Sequence, residues 1–204
     1  MPVGTYTVMD GSGRPVGREE FRCAPGPAGW RWFSTIQTDE PTPHEELVDY
    51  VVDASWRPVR LRIDSGAHQL LIASDRGAFR GMRDGQPIEL PLREDLDYLS
   101  PSFNAVTANR LGGTGEIEVV YFDPVTLEPS LMPQRYELLG EEVVETPVGS
   151  FETRAWRYTA LGSGWSRPLW VAGDIVVAYE DVFELSEYEP GPNGPFPAGS
   201  DRGG

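Results

Sequence analysis

Apolar and polar residues alternate through many short runs of this chain, and the runs are separated by turn-forming residues. In Val59-Arg60-Leu61-Arg62-Ile63 the three aliphatic residues share one face and the arginines the other. In Glu116-Ile117-Glu118-Val119-Val120-Tyr121, residues Ile117, Val119 and Tyr121 point one way. Trp30 and Trp32 share a face, as do Ile175, Val177 and Tyr179. Turn signals lie between the runs at Asp10-Gly11-Ser12-Gly13, Asp64-Ser65-Gly66, Asp75-Arg76-Gly77, Asp84-Gly85, Gly112-Gly113 and Gly162-Ser163-Gly164. Such spacing predicts about 10–12 antiparallel strands. That number is large for a flat open sheet, so a mainly β fold with a strongly curved sheet or half-barrel is expected.

One stretch breaks the pattern. Ser100 is a good helix N-cap, Pro101 suits the first helical position, and Gly112 suits a left-handed C-terminal cap. A short helix over about 101–111 is predicted, with Asp95 and Asp97 just ahead of its positive end. At about 100° per residue, Phe103, Val106, Thr107, Arg110 and Leu111 fall on one face. Ala105, Ala108 and Asn109 fall on the other, with Asn104 between. Arg110 thus projects from the apolar side. It either pairs with a strand carboxylate, lays its stem over apolar surface, or anchors a ligand in the mouth of the curved sheet.

The expected organisation is a single domain over 1–185 followed by a disordered Gly/Pro-rich tail over 186–204. No internal repeat is evident. With 39% hydrophobic residues among 204, a substantial core is affordable. The net charge of −15 disfavours nucleic acid and anionic membranes as partners. All 17 basic residues are arginine, the bias of a GC-rich genome, so lysine chemistry is excluded. One cysteine, Cys23, rules out an internal disulfide and fits a reducing, cytoplasmic setting. No secretory signal or membrane-spanning run is recognisable, and homo-oligomerisation stays open.

Candidate chemistry is sparse. His44-Glu45-Glu46 lacks the spacing of a metal site, because ligands so placed on one strand cannot converge, and no metal or other cofactor is expected. Gly162-Ser163-Gly164-Trp165-Ser166 reads as a turn rather than a nucleophile elbow. Gly112-Gly113-Thr114-Gly115 follows a helix and precedes a strand, the reverse of a phosphate cradle. Cys23 reads as an inert core thiol. Asp97, Tyr98, Asn104, Arg110, Arg135 and Tyr136 are the polar groups nearest the helix, and some of the six tryptophans are candidates to line a cavity.

The helical stretch also carries a resemblance. Ser100, Pro101, Asn104, Arg110 and Leu111 resemble the signature of a family named for glycolipid binding. "YVVDASWRPVRLRI", "DLDYLSP", "QRYELL" and, more loosely, "IVVAYEDVFEL" are similar to further segments of that family, in the same order. The likeness spans roughly residues 45–185. Phe103, Thr107 and Asn109 stand where the family has threonine, proline and arginine. The resemblance implies a long bent antiparallel sheet wrapped around a helix, similar to lipoprotein-carrier folds, with an apolar groove between them. "ETPVGSFETRAWRY" and "LWVAGDIVVAYE" also look like closing strands of related periplasmic sheet proteins.

The leading expectation is binding of a hydrophobic small molecule with a polar head, lipid or glycolipid-like, in that groove. Arg110 and Asn104 would anchor the head, Trp56, Phe103 and Tyr136 would contact the body, and Arg135 is a further candidate for the site. The alternative is a cofactor-independent cyclase, isomerase or hydratase acting on a polyketide or terpenoid-like metabolite, with Asp97, Arg110 and Tyr136 as acid–base and electrostatic groups. A third reading is a filled scaffold that works through its acidic surface. A cavity with Arg110 reaching into it separates the first two from the third.

Overall fold

The structure is a computed structural model, and it describes residues 1–39, 43–75, 78–192, 195 and 197. Within them the chain forms fifteen strands and one helix. The first eight strands are β1 (Val3–Met9), β2 (Pro15–Gly26), β3 (Gly29–Thr38), β4 (His44–Asp53), β5 (Pro58–Asp64), β6 (Gln69–Asp75), β7 (Ala78–Arg83) and β8 (Gln86–Ile88). After β9 (Leu96–Asp97) and helix α1 (Pro101–Leu111) come β10 (Gly115–Phe122), β11 (Pro129–Thr146), β12 (Gly149–Ala160), β13 (Trp165–Ala172), β14 (Ile175–Tyr179) and β15 (Phe183–Glu189).

All fifteen strands belong to one curved, unclosed sheet in the order β8-β7-β6-β5-β4-β3-β2-β1-β15-β14-β13-β12-β11-β10-β9. Neighbours are antiparallel except β9 and β10, which run parallel because α1 carries the chain back between them. The first and last strands pair in the middle of the sheet, from Val3↔Glu189 to Val8↔Phe183. The two edges are the short strands β8 and β9, which leave little unpaired backbone exposed. These edges are also consecutive in the chain. Eight peptide steps from Ile88 to Leu96 hold them within about 26–29 Å of one another, so the sheet must curl.

The strand number exceeds the 10–12 expected. Strands of two and three residues, such as β9 and β8, are too short to show an alternation. The pattern in β5 also differs in one respect. Leu61 and Ile63 are buried, but Val59 is exposed. The register shifts there, with Val51 opposite Arg60 and Val52 opposite Pro58, and the bulge turns Val59 outward. The turn expected at Asp75-Arg76-Gly77 involves residues 76 and 77, outside the described residues. The tail boundary expected at Ser186 falls inside β15, which continues to Glu189. Beyond it, Tyr188 OH donates to Pro195 O at 2.9 Å, and most of the remaining tail lies outside the described residues.

Helix α1 forms as its caps predict. The Ser100 side chain accepts from Ser102 N–H, and Gly112 sits at φ +64° with its N–H donating to Ala108 O. Every residue from Pro101 to Ala108 is buried. A helix with buried residues on all sides is enclosed rather than laid on a surface, and both the Phe103 face and the Ala105–Ala108 face are covered. Phe103 stacks on Tyr50 of β4 with ring centroids 4.3 Å apart. On the opposite half of the sheet, Tyr136 meets Trp156 and Tyr158 edge-on. Each fully buried aromatic or aliphatic side chain contributes about 1.5–3 kcal/mol relative to exposure, so this helix-filled interior is the main source of stability.

Candidate functional site

The residues singled out in the sequence do not converge on one cavity. Arg110 forms an ion pair with Asp95 through Nη1, and its Nη2 lies 3.4 Å from Glu94. Of the alternatives for Arg110, the carboxylate partner is present in the structure. Burial still pushes the Asp95 carboxyl above its ordinary pKa, against the pull of Arg110. Asn104 Nδ2 donates to Tyr136 OH at 2.9 Å, and Phe103, Asn104 and Tyr136 are all core residues. Asp97 accepts from Gln134 Nε2 at 2.5 Å and from Tyr98 N–H, and burial raises its pKa to about 6. Arg135 pairs with Glu116 across the exposed face of β10 and β11. Trp56 sits in the turn before β5 and stacks on Trp30 at 4.0 Å. Around Phe103 the space expected as a groove between helix and sheet is occupied by Phe103, Tyr50, Tyr136 and Trp156, all at most 1% exposed. Asp97 and Tyr136 are buried in this packing, and Arg110 lies partly exposed at its edge. A cavity of about 500 Å³ does open between the C-terminal part of α1 and the sheet, lined by Ala108, Asn109, Glu142, Thr153, Arg154 and Val171.

A pocket of about 630 Å³ lies elsewhere, at the end of the curved sheet beside the N-terminal lead-in of α1. Strand ends and turns distant in sequence build it. Val8, Val16, Ile36, Leu99, Val125 and Phe183 supply apolar wall. Leu99 and Val125 are exposed at its rim. Its polar side is Thr38, His44, Glu46 and Ser65. This is the usual composition of a small-molecule site, mostly apolar with a few convergent polar groups.

The polar side has a defined network. Glu46 is only 2% exposed. Tyr98 OH donates to its Oε2 at 2.8 Å, and His44 Nε2 lies 3.3 Å from its Oε1. Thr38 Oγ1 is 2.9 Å from His44 Nδ1. Burial raises the Glu46 pKa, while Tyr98 and His44 oppose the rise. Behind this wall is a second inward carboxylate. Cross-strand register places Glu19 of β2 opposite Ile36 of β3, and Ile36 opposite Glu46 of β4. Glu19 Oε1 accepts from Ser100 Oγ at 2.7 Å, whereas its Oε2 has no hydrogen-bond partner. Burial pushes its pKa up to about 7, with the Glu46 charge adding to the rise. Glu19, rather than Asp95 or Asp97, is thus the carboxylate that meets the cap of α1.

Glu19 and Glu46 carry a sequence signal in strand parity rather than in any motif. Glu19 has the same parity as the inward Phe21 and Cys23, and Glu46 the same parity as Val48, Tyr50 and Val52. A charged residue in an inward position of a strand is costly and therefore informative. Cys23 is buried with its Sγ 3.1 Å from Asp174 Oδ2, and burial pushes its thiol pKa upward, away from the reactive thiolate. Among the described residues, no group of three or more His, Cys, Asp or Glu is placed to hold a metal ion. No helix among them is long and apolar enough to cross a membrane.

The class defined by this geometry is a β-barrel-like protein, an unclosed curved sheet enclosing a single helix. Two solved structures are similar to it. One is a DUF1089 family protein from Pseudomonas aeruginosa, with TM-score 0.59 and 21% identity, over 81% of this chain and 91% of that one. The other is described as a beta-barrel-like protein of a domain of unknown function, DUF1849, from Brucella abortus. It has TM-score 0.50 and 12% identity, over 92% of this chain and 95% of that one. At these identities the likeness is one of fold. No family model matches the chain, and no curated protein does.

Proposed function

We propose that the protein binds an amphipathic, largely apolar small molecule, lipid or glycolipid-like, in the pocket at the end of the curved sheet. The observation that carries this reading is the pairing of about 630 Å³ of apolar-walled space with one buried polar cluster around Glu46. An apolar body gains by leaving water, and a polar head keeps its hydrogen bonds only where Glu46, His44 and Thr38 converge. The resemblance to the family named for glycolipid binding supports the class of ligand. The ligand-contacting set moves accordingly, from Arg110, Asn104 and Trp56 to Ile36, Leu99, Val125 and Glu46.

The test uses the neutral dye Nile red, whose fluorescence rises in apolar surroundings. The folded protein is expected to bind it saturably. Ala67 is exposed at the pocket wall, so Ala67→Trp fills the space without disturbing the core. This substitution is expected to weaken dye binding by about tenfold or more, the cost of roughly 1.4 kcal/mol of lost contact. Unaltered binding in Ala67→Trp would exclude the pocket.

A second reading draws on the same network. A buried carboxylate beside an imidazole and a tyrosine hydroxyl, at the edge of an apolar cavity, is an arrangement suited to proton transfer. On that reading Glu46, not Asp97, would be the base of a cofactor-independent isomerase or cyclase. Proton exchange into an enolisable substrate analogue, measured by NMR and lost in Glu46→Gln, would favour it.

A further inference from the structure

We infer that the pocket selects amphiphiles whose head is a protonated amine, and discriminates against carboxylate and phosphate heads. The inference rests on the pocket being the binding site, and it names what the polar end recognises.

Among the described residues, the polar end of the pocket offers acceptors and few competing donors. Glu46 is the only acidic residue in the wall among the described residues, and its carboxylate has more acceptor capacity than it uses. Tyr98 occupies Oε2, and Oε1 faces His44 at 3.3 Å. A carboxylate offers about four lone-pair sites, so an ammonium can join this cluster without displacing Tyr98. Glu19 lies two strands away on the same inward row, with an oxygen that has no partner. The potential at the polar end is therefore set by Glu46, and Glu19 adds to it once it ionises above about pH 7. Among the described residues no arginine lines the pocket, although arginine supplies all 17 lysine-type or arginine-type charges of the chain. An anionic head finds no guanidinium among them. His44 is the one basic group in the wall among the described residues, and Glu46 and Thr38 already engage it.

The energetics point the same way. Bringing a second negative charge beside a buried carboxylate is opposed by like-charge repulsion in a poorly screened site. An ammonium in the same place forms a charge-assisted hydrogen bond, among the stronger interactions available to a small head group. The net charge of −15 adds long-range attraction for cations and repulsion for anions during encounter. A neutral hydroxyl head is intermediate, because it can donate to Glu46 but gains no net charge attraction.

The experiment displaces bound Nile red with decylamine, decanol and decanoate, all below their micelle-forming concentrations. Decylamine is expected to displace the dye at about tenfold lower concentration than decanoate, with decanol between them. Glu46→Gln keeps an acceptor for Tyr98 and removes the charge, so the advantage of decylamine over decanol is expected to vanish. His44→Ala removes the competing base and is expected to preserve or enlarge the amine preference. It also serves as the control should the Gln variant fold poorly. Displacement by decanoate as good as by decylamine, or loss of the preference in His44→Ala, would overturn the inference while leaving the pocket in place. Absence of dye binding, or dye binding untouched by Ala67→Trp, would instead remove the pocket itself.

Discussion

Arg110→Ala is expected to lower the unfolding free energy by about 2–3 kcal/mol while leaving Nile red binding unchanged. Its partner Asp95 is 7% exposed, and Arg110 itself is about a quarter exposed by side chain. Removing one member of a buried pair leaves the other charge without compensation, which costs about 3–5 kcal/mol for a fully buried pair. Partial solvation of Arg110 and the second carboxylate, Glu94, bring the figure toward the lower end. Replacing both partners with apolar residues, as in Arg110→Met with Asp95→Leu, is expected to recover most of the loss. Urea unfolding followed by tryptophan fluorescence measures these differences directly. The opposite result, an unchanged midpoint with loss of dye binding, would restore Arg110 to the ligand site.

The second large effect is a gain. Glu19→Gln is expected to stabilise the protein at pH 8 by about 2–3 kcal/mol and to have little effect near pH 4.5. In the unfolded chain Glu19 titrates near its ordinary value of 4.5, whereas burial holds it at about 7 in the folded protein. Between those values the folded protein keeps a proton that the unfolded chain has released. Stability contributed by this group is therefore highest at low pH, falls as pH rises through that window, and reaches its minimum above pH 7. An ionised Oε2 without a partner is the structural form of that penalty. Glutamine preserves an acceptor for Ser100 and carries no charge to desolvate. Asp97, raised from 3.8 to about 6 by burial, acts with the same sign. A weaker decline between about pH 4 and 6 is expected to persist in the variant. Chemical denaturation at several pH values reads out both groups. A stability curve for Glu19→Gln that simply parallels the wild type would contradict the assignment.

A carboxylate kept at such cost at the cap of the central helix is the kind of local conflict that function retains. Glu19 and Glu46 were legible in principle, since strand parity alone turns both inward beside Phe21 and Tyr50. The helix was fully legible, because its start and stop depend on Ser100, Pro101 and Gly112 and on nothing distant. The partner of Arg110 was narrowed to a carboxylate or a ligand, and only the path of the chain through Asp95 decides between them. The pocket was not legible. Val8, Ile36, Leu99, Val125 and Phe183 meet because five separate turns arrive at one end of the sheet. No periodicity within a strand records which turns become neighbours. The filling of the space beside α1 was hidden for a related reason. Alternation identifies inward residues, but whether Tyr50, Tyr136 and Trp156 leave room around a helix depends on the curvature of the sheet.

The ladder between β1 and β15 sets a schedule for making the protein. Strands β1 to β8 form one meander and β10 to β15 another, and the seam between them joins residues as far apart as Val3 and Glu189. A growing chain can complete the first meander early, but β1 then waits with an open backbone edge until β15 has been synthesised. Throughout that interval the edge is a template for the β15 of any neighbouring chain. Crowded synthesis should therefore favour exchanged dimers in which each copy lends its last sheet strand to the other. Slower initiation, which spaces the nascent chains apart, should favour monomers with the seam closed upon itself.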